Sequence, residues 1–312
     1  ISGSPKKLYL VAAAVATAGT LLAGCGFGAG SQDGSAELLV TRDYGRQVMV
    51  EKSLDKLTES ENALRLLDAS ADIETRYSGG FVQSVSGISG GIEAGRNQDW
   101  FYSVNGVVAE RGAAEFEINA GDQVWWDYRD WTDAMEIEAV VGAWPAPLKG
   151  GYDGEVWPVS IECVEVDRVF CGDFEERLSD QGVDSTTVDR LGASPEGSLR
   201  LVLGRWFDIE TDDQAQFDSD PSTSGVFARF EEVADEDHLI GLDQRAQPAR
   251  DFGPNAGLIT ATRKGDDPPV WFITSGQQRG LEAAVRALDA NDLKGRYSAV
   301  AQGDVVSSLP LP

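Results

Sequence analysis

Histidine is almost missing from this 312-residue chain, where His238 is the only one. A single imidazole excludes a His-rich metal centre, and any Ser-His-Asp triad would have to be built on that residue. His238 follows Asp235, Glu236 and Asp237, a run that reads as a solvated loop or a helix start. Basic residues are also scarce: 26 Lys and Arg stand against 52 Asp and Glu, a formal net charge of −26. Such a surface repels phosphate backbones, which argues against nucleic acid, and it does not adhere by charge to anionic lipid. Salt tolerance or solubility is the plain reading of that acidity. No apolar run reaches the ~20 residues of a membrane-spanning helix. Cysteine is limited to Cys25, Cys163 and Cys171.

What is present begins with an export signal. Lys6 and Lys7 precede an apolar stretch from Leu8 to Leu22, which ends in Leu22-Ala23-Gly24-Cys25. The stretch has the length of a signal-peptide core. The four closing residues resemble the lipobox of bacterial lipoproteins. Small residues before the cysteine fit a narrow peptidase site, and the thiol carries the diacylglycerol. The expectation is a leader over 1–24, a lipidated N-terminus at Cys25 and a glycine-rich tether over 25–35. Loss of Lys6 and Lys7 with the leader makes the mature chain two charges more negative. Attachment to the membrane then rests on acyl chains, which anchor stably when there is more than one.

Hydrophobic residues make up 42% of the chain and aromatics 9%, enough to build cores over one large or two modest domains. In the first, placed at 36–142, Glu37–Thr41 and part of Tyr44–Lys52 read as strands. Residues 60–67 have helical spacing, and Phe81–Val85 alternates up to Gly87. Trp100–Val104 is a strand closed by Asn105-Gly106, the turn pair that tolerates positive φ. Gln123–Tyr128 is a strand rich in tryptophan. The order of strands, helix and short strands fits a small mixed sheet on one helix, a β-grasp-like arrangement. Trp100 and Tyr102 share one face of their strand, and Trp126 and Tyr128 share one face of theirs. One face must fill the core. The other has the character of a surface that stacks on a flat ring.

Three stretches, 79–87, 100–106 and 121–126, resemble the C-terminal domain of transcobalamin and intrinsic factor, and a related bacterial domain of unknown function found on exported proteins. The resemblance covers about a third of the chain. It implies cobalamin as a ligand and Phe81, Ser84, Gly87, Trp100, Tyr102 and Asn105 as ligand-contacting positions. In the vertebrate carriers a helical barrel holds the other side of the ligand. No such barrel is present in this sequence, so the resemblance also implies a partner protein or a different ligand.

Trp144 to Gly151 carries Pro145 and Pro147 and reads as a linker over 143–151. An α/β domain over 152–312 follows, with two sets of strands and helices that loosely resemble each other and raise the option of two related units. Cys163 and Cys171 are eight positions apart. Outside the cytoplasm such a pair is expected to form a disulfide, with free thiols the alternative. Asp208–Asp220 holds six acids without EF-hand spacing and reads as a solvated loop. Ser224-Gly225 and Ser275-Gly276 sit in no nucleophile elbow.

The expectation is thus an α+β, non-enzymatic lipoprotein on the extracytoplasmic face of the cell membrane. It has no catalytic or metal residues and no certain cofactor, and it captures a corrinoid for an importer. The alternative is a structural or interaction lipoprotein of the cell envelope with a protein or glycan partner. Substitution of Cys25 by serine is expected to abolish metabolic labelling with palmitate and move the chain to the soluble fraction. Labelling that persists in the variant would refute Cys25 as the anchor.

Overall fold

The computed structural model describes residues 1, 31–32, 34–77, 80–215, 217 and 224–312. The expected leader, Cys25 and most of the tether lie outside these residues. Among the described residues no helix is long and apolar enough to cross a membrane. The architecture is α+β and mostly β.

The first half runs β1 (Ser31–Gln32), β2 (Ala36–Arg42), β3 (Gln47–Leu54), β4 (Leu57–Thr58), α1 (Ala63–Asp68), β5 (Ile73–Arg76), β6 (Phe81–Val85), β7 (Ile88–Ser89), β8 (Gly91–Glu93), β9 (Arg96–Val104), β10 (Val107–Val108) and β11 (Gln123–Asp130). Its main sheet has the order β10-β9-β11-β2-β3, with β8 also on β9. β2 and β11 are parallel neighbours, and the other pairs are antiparallel. The first and last strands therefore lie side by side at the centre. Asn105 and Gly106 both adopt positive φ between β9 and β10, as an Asn-Gly turn requires. Helix α1 starts where the Asn62 side chain accepts a hydrogen bond from Arg65 N, which satisfies one of the free N–H groups of the first turn.

Side chains alternate across this sheet. Leu38, Val40, Trp100, Tyr102, Val124, Trp126 and Tyr128 point to one face. There they pack with Leu66 and Leu67 of α1 and with Val82 and Val85 of β6. Leu39 and Trp125 point to the other face and join a core supplied by the second half.

The second half contains α2 (Ala146–Gly150), β12 (Val159–Val164), α3 (Arg168–Asp180), β13 (Ser185–Val188), β14 (Leu199–Arg205), α4 (Trp206–Ile209), β15 (Ala228–Val233), β16 (Glu236–Leu242), β17 (Pro248–Gly253), β18 (Gly257–Thr262), β19 (Val270–Ser275), α5 (Gln278–Arg286), α6 (Ala290–Leu293), β20 (Ser298–Gln302) and β21 (Val305–Leu309). The two expected units are in fact a single seven-stranded sheet of order β13-β12-β14-β19-β18-β20-β21. Leu201, Leu203, Trp271, Ile273, Ile259 and Ala299 face α3 and α5. Val202, Phe272, Leu258 and Val300 face the separate sheet β15-β16-β17 and the first half. Covering on both faces explains why β12, β18 and β19 are buried along their whole length.

Three sequence expectations change here. Residues 143–151 are not an open linker: Trp144 is buried against Trp271, and Ala146 and Leu148 are buried with it. Pro147 falls in the first turn of α2, where its missing N–H costs nothing. His238 lies within β16 rather than in a loop or helix start, and its Nδ1 is 3.0 Å from Asp251 Oδ2. Asp212, expected in a solvated acidic loop, is buried and bonded to Arg200, whose guanidinium also grips both oxygens of Glu162.

Cys163 and Cys171 form a disulfide, with Cα atoms 6.1 Å apart. It ties the end of β12 to the first turn of α3, whose Asp167 cap accepts a hydrogen bond from Val169 N. Closing so short a loop lowers unfolded-chain entropy by an amount worth about 2–3 kcal/mol. The double variant Cys163→Ala/Cys171→Ala is expected to lose that much in urea unfolding. An unchanged midpoint would show that the bond adds no stability.

Candidate functional site

Three of the sequence candidates line a cleft of about 240 Å³ bordered by β6, β9 and residues 109–113. Its floor is Trp100, Tyr102 and Trp126, with Phe81 and Arg111 among its other lining residues. The register explains the floor. Tyr102 lies directly opposite Trp126 and Trp100 opposite Tyr128 on adjacent antiparallel strands. Large aromatics facing across a ladder pack on each other. The Tyr102 and Trp126 rings stack with centroids 4.7 Å apart, and Trp100 meets Tyr128 at 5.2 Å.

The polar tips of these rings hold the walls. Trp100 Nε1 donates to Ile88 O at 2.9 Å, Tyr102 Oη to Arg111 O at 2.8 Å and Tyr128 Oη to Ser89 O at 3.0 Å. Burial pushes the Tyr102 phenol up from its ordinary pKa, so it stays a donor. The Arg111 guanidinium lies over the Phe116 ring and pairs with Asp153. At the closed end a Cβ on Gly112 would come within 2.9 Å of Gly80 O, so the two walls touch there. Trp126 Nε1 is buried with no hydrogen-bond partner among the described residues.

The six positions named from the sequence divide evenly. Phe81, Trp100 and Tyr102 line the cleft. Only Phe81 is substantially exposed, at 37%, against 6% and 7% for the other two. Trp100 and Tyr102 thus form a packed floor rather than an open stacking face. Ser84 is buried on β6, Gly87 sits in an exposed turn and Asn105 is fully buried. Asn105 Nδ2 donates to Asp122 Oδ1 at 2.7 Å and to Gly151 O at 2.9 Å, and its Oδ1 accepts from Gln123 N. It locks the β9–β10 turn to α2. Arg111 and Gly112 were not among the sequence candidates, because their segment has no periodic pattern.

Residues 60–130 match a domain of unknown function, DUF4430. The matched segment runs from the start of α1 to the end of β11 and contains the cleft. None of the curated proteins matches the chain. Among solved structures, a Ruminococcus gnavus protein described as a candidate metal binding protein is 16% identical. The match spans 31% of this chain and 97% of that one, with a TM-score of 0.24. In this chain, no group of three or more His, Cys, Asp or Glu among the described residues is arranged to hold a metal ion.

The opposite face of the first-half sheet is closed by a polar cluster at the seam with the second half. Asp127 is wholly buried there. It accepts from Thr41 Oγ1 at 2.6 Å, Tyr297 Oη at 2.9 Å and Gly45 N at 3.2 Å. Burial pushes its carboxyl up from 3.8 to about 6 despite these donors. The folded chain therefore holds a proton that the unfolded chain has released between those two values, and Asp127 lowers stability as pH rises through that window. Asp127→Asn, which cannot ionise, is expected to flatten this part of the stability–pH curve. A slope identical to that of the parent chain would refute the assignment.

Proposed function

We propose that this chain is a lipid-anchored, extracytoplasmic binding protein that captures a small ligand in the Phe81 cleft and performs no chemistry of its own. The observation that carries this reading is the cleft itself, a recess with a rigid aromatic floor and an exposed Phe81 in the segment that resembles the transcobalamin C-terminal domain. The order β3-β2-β11-β9-β10 with β2 parallel to β11 is consistent with the β-grasp-like arrangement expected from the sequence, which favours this reading. A corrinoid is the ligand class that the resemblance implies. About 240 Å³ falls below the usual range for a drug-sized ligand, so the cleft suits one edge or substituent of a corrin. A partner such as an importer would cover the rest.

The envelope-interaction reading draws on a different surface. Phe207 and Val169 are 71% and 70% exposed, and both closely follow the carboxyl ends of the neighbouring parallel strands β14 and β12. Apolar side chains exposed singly are common on protein surfaces, so the capture reading stands first.

Titration of the full chain with cyanocobalamin and hydroxocobalamin, followed by inner-filter-corrected tryptophan fluorescence, separates the readings. The informative variant is Phe81→Ala, since truncation of Trp100 would hollow the core. Saturable quenching that Phe81→Ala weakens by about tenfold is the expected outcome. No response up to high micromolar concentration removes a corrinoid as the stand-alone ligand.

A further inference from the structure

A second recess, of about 350 Å³, lies at the other end of the first-half sheet, where the β16–β17 turn of the second half meets the end of β2. Arg42, Arg96 and Arg245 line it together with Gln47, Gln98 and Gln244. Its two carboxylates are already engaged. Asp43 accepts from Arg46 and from Gln244 Nε2, and Asp130 pairs with Arg96. Arg42 and Arg245 make no ion pair with any described residue. Arg42 is half-buried, its guanidinium carbon 5.9 Å from the Tyr128 ring centroid, and its Nε is enclosed without a hydrogen-bond partner.

The chain as a whole carries twice as many acids as bases. In this recess three arginines meet two carboxylates; Arg245 is exposed at its edge, and Arg42 is the half-buried one. A half-buried arginine without a counter-ion loses hydration and gains little in return. Its planar fork matches the oxygens of a carboxylate or phosphate. We infer that this recess is a binding site for a small oxyanion, or for the oxyanion group of a larger ligand, held between Arg42 and Arg245. The two arginines come from different halves of the chain, so an occupant also fastens the halves together. The site is separate from the Phe81 cleft and does not depend on what that cleft holds.

The test is calorimetric titration of the full chain at low ionic strength with inorganic phosphate and, separately, with succinate. Arg42→Gln and Arg245→Gln are compared with Arg205→Gln, an arginine elsewhere that pairs with Asp208. Near-parental melting temperatures without ligand establish that the variants fold. The expected result is saturable binding of at least one anion, weakened about tenfold or more in both recess variants and unchanged in Arg205→Gln. The preferred anion tells phosphate-bearing from carboxylate-bearing ligands. Absence of binding by both anions at millimolar concentration overturns the proposal, as does binding that either recess variant leaves intact.

Discussion

Strand β11 has to satisfy two cores at once. Its even-numbered side chains Val124, Trp126 and Tyr128 fill the space under α1 and β6, and its odd-numbered Trp125 turns to the second half. Asp127 and Arg129, on that same side, are buried at the seam as well. A strand enclosed on both faces cannot slip by one residue without sending every side chain into the wrong core. That register fixes the aromatic pairs across β9, and those pairs fix the walls of the cleft through the hydrogen bonds at their tips.

The seam shows how the second face tolerates charge. Arg129 is almost completely buried, donates to Ala134 O at 2.7 Å and lies 4.0 Å from the Phe101 ring centroid. Asp127 is surrounded by two hydroxyls and a backbone N–H. Around them Tyr44, Trp125 and Tyr297 pack edge to face. Such enclosed polar groups are costly unless each finds a partner. The partners come from residues as far apart as Thr41 and Tyr297, so the polar cluster forms only when both halves are folded and docked.

Charge is distributed with the same economy at the sheet ends. Acids dominate the composition, and the ion pairs that matter most are partly buried ones, where Arg200 joins Glu162 and Asp212, and Arg96 joins Asp130 and Asp133. Exposed pairs such as Lys294 with Glu51 contribute little. At the Arg42 recess the local balance is reversed, with three arginines against two carboxylates.

Features set by local chemistry were legible in the chain. The Asn105-Gly106 turn follows from two residues that accept positive φ, and the Cys163–Cys171 bond from the close spacing of the two cysteines. The strand around Trp100 follows from its alternation up to the Asn-Gly turn. Other features were not legible, for identifiable reasons. The sheet β15-β16-β17 was hidden because register shifts at Leu239/Ile240 and Gly241/Leu242 break the alternation that marks a strand. Trp144 to Gly151 looked like a linker because proline punctuates it, yet a tryptophan there sits in the core. The sequence by itself determined which residues alternate, turn and cross-link, since those depend on neighbours along the chain. Only the tertiary structure decided which face is covered. It stacked Tyr102 on Trp126, closed the far side of the sheet with Tyr297 and brought Arg245 to Arg42, because burial depends on what packs against a strand from far away in sequence.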